Sequence, residues 1–221
     1  MTSTYLVLLT AGCTAAAALT LTPWGRALGT VEPGGAESRW LGRGNPTLLA
    51  AIGGVGAALL ADDPAELVAF ATLAVACALL VLIDLAAFRL PNAIVGPMYP
   101  ILFAALAGAA ALSGDWGRLG RAVVVAAILV AGYFVLAFLS PSSLGLGDVK
   151  LSGLLGGFLG WLGWSEAALG TLAAFALSGV VAVILVITVR ATRRTDFAFG
   201  PCMVFGAVIG AAWGSTALSL G

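Results

Sequence analysis

Two aspartates stand out from a chain that has little use for charge. Asp84 closes the apolar run 67–83, and Asp148 ends the segment Gly145-Leu146-Gly147-Asp148 between two membrane-length apolar stretches. An ionised side chain at membrane depth costs at least ~2.5–3.5 kcal/mol, and it usually marks a pathway or a reaction centre. Two carboxyls that face one another cannot both ionise easily. One keeps a proton, the other is an anion, and the pair titrates as a unit. Such a pair can hydrolyse an amide: the anion takes a proton from water while the neutral acid polarises the scissile carbonyl.

The remaining composition narrows the chemistry further. The chain has no histidine, which removes the commonest general base, the commonest metal ligand and every Ser-His-Asp or Cys-His arrangement. Cys13, Cys77 and Cys202 are isolated in apolar runs and read as small buried hydrophobes; without a CxxC pair there is neither a zinc site nor a redox motif. No metal and no cofactor is expected. Ten basic residues balance ten acidic ones, so a nucleic-acid partner has no electrostatic support. What is left is carboxylate chemistry.

The elements that must carry these aspartates are transmembrane helices. A chain that is 61% hydrophobic and 9% charged, with a mean hydropathy of +1.10, is a polytopic all-α membrane protein. Candidate spans are roughly 5–22, 47–61, 66–83, 93–113, 119–139, 149–164, 168–189 and 199–219, which makes about eight, or seven if 47–61 does not cross. The second and sixth are short and rich in glycine. The first residues carry no Lys or Arg and no cleavage site follows the first span, so no secretory signal is expected. The long connection 23–46, with its prolines and glycines, reads as irregular.

Orientation follows from the basic residues. With loop 23–46 in the cytoplasm, that side holds Arg26, Arg39, Arg43, Arg89, Lys150, Arg190, Arg193 and Arg194, against Arg118 and Arg121 on the other. This is a clear positive-inside bias, and it places both termini outside. Asp84 and Asp148 then fall together on the cytoplasmic side, where the active site is expected. The six tryptophans lie mostly near span ends and read as interfacial anchors.

Around Asp84 the helix should run on for about one turn until Pro91 stops it, with Asn92 as N-cap of the next span. Asp148 should sit in the first turn of its helix, where the macrodipole favours an anion. Gly145 and Gly147 permit left-handed dihedrals and leave room for an extended peptide to approach. A plainer account makes Asp148 only a helix cap and Asp84 only an interfacial acid paired with Arg89. The glycine loop favours the acid–base pair over it. Arg89 and Lys150 stand beside the aspartates as candidate supporting residues, although membrane anchoring accounts for both.

These residues resemble the active-site motifs of the type IV prepilin peptidases. The resemblance is carried by Asp84 with Arg89-Leu90-Pro91-Asn92, by Gly145-Leu146-Gly147-Asp148-Val149-Lys150-Leu151, and by Phe199-Gly200-Pro201 entering the last span. It covers roughly residues 67–219, with the motifs in order. It implies a GxGD-type aspartic endopeptidase that removes the N-terminal leader from prepilin or pseudopilin precursors at the cytoplasmic face of a bacterial inner membrane, with Asp84 and Asp148 as the catalytic pair. The chain then divides into N-terminal spans at 1–64 and a peptidase core at 65–221. Many relatives carry two CxxC pairs linked to methylation of the new pilin amine. Loop 23–46 has no cysteine, so leader cleavage without methylation is expected. A transporter with paired intramembrane carboxylates is the rival reading, and it would place the acids near the bilayer midplane rather than toward one face.

Overall fold

The computed structural model describes residues 4–29, 44–139, 144–189 and 198–218. These form eight α-helices and, among the described residues, no strand. Six of the helices are long and apolar enough to cross a membrane. The other two, α2 (Gly44–Leu60) and α6 (Leu146–Leu162), have 17 residues each. They are the short, glycine-rich runs picked out in the sequence. The chain forms two compact units, Met1–Trp116 and Gly117–Gly221.

The first unit contains α1 (Thr4–Gly29), α2, α3 (Pro64–Ala87) and α4 (Asn92–Ser113). Helix α1 runs past the expected end at residue 22 and takes Pro23 inside it. The centre of the unit is α3, which packs on α1, α2 and α4 and is buried on every face from Val75 to Asp84. Close approach depends on small residues. A β-carbon on Gly53 would stand 2.7 Å from the Ala74 side chain, and one on Gly54 would strike Thr14. Helix α3 begins with Asp63, whose Oδ1 accepts the N–H groups of Ala65 (2.7 Å) and Glu66 (2.9 Å). Glu66, fully buried, accepts the Asp62 N–H through Oε2 at 2.9 Å. This acidic cluster therefore serves as a helix start.

The second unit holds α5 (Trp116–Leu139), α6, α7 (Trp164–Val189) and α8 (Gly200–Ala217). Helix α6 is buried almost throughout, from Asp148 to Trp161. Gly156 and Gly160 face α5: a β-carbon on Gly160 would meet Val125 at 2.7 Å, and one on Gly156 would meet the Ala126 Cα at 3.0 Å. On α8, Gly206, Gly210 and Gly214 lie against the backbone of Glu166, Gly170 and Ala174 on α7. Small residues at a spacing of four are how apolar helices approach without a hydrophobic drive from water.

The end of α6 is closed from α5. Arg121 donates from Nε to the Gly160 carbonyl at 2.7 Å, and from Nη2 to those of Trp161 (3.0 Å) and Leu162 (3.5 Å). Arg118 donates to the Trp161 carbonyl at 3.4 Å and lies 4.5 Å over its ring. Trp161 is fully buried, so it is a core residue and not the interfacial anchor expected of it. Cys13 also departs from expectation: it faces outward on α1, whereas Cys77 and Cys202 are buried.

Candidate active site

Asp84 lies in the last turn of α3 and is 4% exposed. The helix continues for the expected single turn, and then Phe88 takes the left-handed conformation (φ 49°, ψ 39°) and donates its N–H to the Asp84 carbonyl at 2.8 Å. Phe88 is the one non-glycine residue with positive φ among those described. Arg89 is exposed at the start of the connection. Asn92 is inside α4 rather than capping it; Pro91, with its fixed φ of −70°, occupies the cap position.

Asp148 lies in the first turn of α6, as expected, and is 9% exposed. Its Oδ2 accepts the backbone N–H of Gly145, the helix N-cap, at 3.1 Å. The side chain thus folds back over the start of its own helix, in the manner of a capping box. Burial pushes the carboxyl above the usual carboxylate range, and the Gly145 N–H pulls it partly back. Asp148 precedes the apolar stretch 149–164, and its neighbour Lys150 is exposed.

The glycine loop does not use left-handed dihedrals. Gly145 has φ −82° and ψ 155°, extended backbone open to any residue, and Gly147 is within α6. Among the described glycines, Gly114 is the one in the left-handed region. Gly145 has space for a methyl group. A β-carbon there would find its nearest neighbours at 3.5 and 3.8 Å, ordinary contact distances.

An aromatic cluster that the sequence did not single out adjoins this helix. Tyr133 of α5 stacks on Phe175 of α7 at 5.4 Å and meets Phe199, ahead of α8, at 6.0 Å. Phe175 and Phe199 are 5.8 Å apart. Tyr133 lies within electrostatic range of Asp148. Beneath it a cavity of about 10 Å³, lined by Tyr133, Ser152, Leu155, Thr171 and Met203 among others, is no larger than one water needs. The signal in the sequence was Phe199 itself, the first residue of the Phe-Gly-Pro segment.

Asp84 belongs to the first unit and Asp148 to the second. One stretch of sequence nevertheless joins them. The model of the type IV leader peptidase family matches residues 71–214. The chain belongs to the type IV leader peptidase family. The match takes in both aspartates, Gly145, Gly147, Arg89, Lys150 and the Phe-Gly-Pro segment, and leaves Glu66 outside. Membership makes the chain a peptidase, here built on an all-helical, multi-pass frame. No curated protein and no solved structure matches it.

Proposed function

We propose that this protein is an aspartic endopeptidase that removes the N-terminal leader from prepilin-like precursors at the cytoplasmic face of a bacterial inner membrane. The peptidase core is residues 65–221, and Asp84 and Asp148 are its acid–base pair. The observation that carries the reading is burial. Glu66, Asp84 and Asp148 are the buried carboxyls among the described residues, and Glu66 lies outside the family match. The two that remain are those at helix ends within the family match.

In the reaction, the anionic aspartate takes a proton from water, and the hydroxyl oxygen forms a bond to the scissile carbonyl carbon. The neutral aspartate gives its proton to the carbonyl oxygen as charge builds there. Collapse of the tetrahedral diol breaks the C–N bond: the amine leaves with a proton from the carboxyl that gained one, while one diol hydroxyl gives its proton to the other carboxylate as the new C=O forms, so the pair again holds one proton between two groups. Burial raises the Asp148 carboxyl, which suits it to hold that proton. The cytoplasmic position rests on the basic residues, eight on one side against two on the other.

The test is cleavage of a synthetic peptide by the purified protein in detergent. The peptide has a short basic leader, a glycine and an apolar stem, and a single cut after the glycine is expected. An intact peptide after long incubation with folded protein would remove the proposal.

A further inference from the structure

Asp148 and the arginine closure stand at opposite ends of one helix. The last four carbonyls of an α-helix have no partner within it. In α6 these belong to Leu159, Gly160, Trp161 and Leu162, and each is accounted for. Leu159 accepts the Gly163 N–H at 2.9 Å, and the other three accept from Arg121, with Arg118 sharing Trp161. At 17 residues α6 rises about 25 Å, short of the ~30 Å hydrocarbon thickness. Its last carbonyls therefore need donors that a neighbouring helix supplies. Arg118 and Arg121 are also the two basic residues that run against the positive-inside bias. Their position is explained by what they hold.

We propose that Arg121, supported by Arg118, is a positioning residue for Asp148: by fixing the C-terminal end of α6 against α5 it sets the depth and rotation at which α6 presents that carboxyl. The inference rests on the reading of Asp148 as one of the acid–base pair. Gly156 and Gly160 bring α5 and α6 into backbone contact, and the guanidinium then fixes the register along that contact. A planar fork can serve three carbonyls together; a lysine ammonium is a point donor on a flexible stem. The clamp is built for arginine.

The test uses the full chain with Arg121→Met, Arg121→Lys and Arg118→Met, assayed on the leader peptide in detergent. Arg121→Met should lower kcat at least tenfold with KM within about threefold, since a displacement near 1 Å at a reacting group can cost ~10²-fold. Its alkaline pH limb should move to lower pH as Asp148 becomes better hydrated. Arg121→Lys should recover part of kcat, and Arg118→Met should lose less than Arg121→Met. A second readout does not depend on catalysis: in a Cys13→Ala background, Leu146→Cys at the exposed start of α6 is labelled with a maleimide. Adding Arg121→Met, or Arg121→Lys if the Met variant does not accumulate, should change the labelling rate at least threefold. An unchanged rate overturns the proposal, as does a kcat within threefold of wild type with an unmoved pH limb. If the wild-type protein fails to cut the peptide while labelling still responds to Arg121, the cleavage reading is lost and the clamp stands.

Discussion

The backbone N–H of Gly145 is held by the Asp148 carboxylate at 3.1 Å, so the same side chain that is assigned to the reaction also begins its own helix. One carboxylate oxygen is engaged, which fixes the direction of the other. Loop and acid therefore form a single geometric object.

Asp84→Asn and Asp148→Asn should each remove nearly all cleavage while the protein still inserts. Asparagine keeps the shape but can be neither the anionic base nor the neutral acid, and loss of such a group costs ~10²–10⁴ in rate. Groups that act as a unit are not additive, so the double variant should be hardly slower than either single one. Retention of activity within about tenfold by either membrane-inserted single variant would sink the pair.

The raised Asp148 carboxyl makes a prediction about stability that is independent of substrate. Between the unfolded aspartate value near 3.9 and the raised native one, the folded protein binds more protons than the unfolded chain. Its contribution to stability is complete below that window and is lost as pH rises through it. Asp148→Asn removes the titration. Its melting temperature should exceed that of wild type at pH 7, with the difference shrinking toward pH 4. Parallel melting curves across that range would refute the assignment.

Gly145→Ala separates folding from substrate access. The backbone there is open to alanine and the added methyl makes only ordinary contacts, so melting should be unchanged. If an extended peptide passes beside this residue, KM should rise severalfold. Unchanged kinetics would show that the substrate lies elsewhere.

Phe88→Gly tests the turn after Asp84. A left-handed conformation costs an L-residue roughly 1–2 kcal/mol, and glycine is free of that cost. Part of the gain is offset by the greater freedom of glycine in the unfolded chain, so a net stabilisation of up to about 1 kcal/mol is expected in chemical denaturation. A destabilised variant would mean that the ring of Phe88, a residue 55% exposed, contributes more than its backbone costs.

Much of the fold was legible because its signals are local and strong. Apolar length gave the helices, glycine content marked α2 and α6 as the short ones, and Pro91 limited how far the helix could run past Asp84, although it is Phe88 that ends it. The placement of Asp148 in a first turn followed from the loop before it. What the sequence hid was pairing between elements. Nothing local tells Trp161 from an interfacial tryptophan, since the residue that lies over its ring, Arg118, is 43 positions earlier. Asn92 has cap chemistry, but the rigid Pro91 took the cap position. Phe88 in a left-handed turn runs against its own propensity, and only the chain reversal between α3 and α4 explains it.

The glycines of α8 carry a consequence for how this protein can change over time. At Gly206, Gly210 and Gly214 the neighbour is backbone of α7, which cannot adopt another rotamer to make space. An intrusion of one methyl group has no compensating partner nearby, so these sites offer no gradual route between alternatives. A saturation mutagenesis profile along α8 should show a comb of forbidden positions four apart, separated by permissive teeth such as Phe205, Val208 and Trp213 on the outward side.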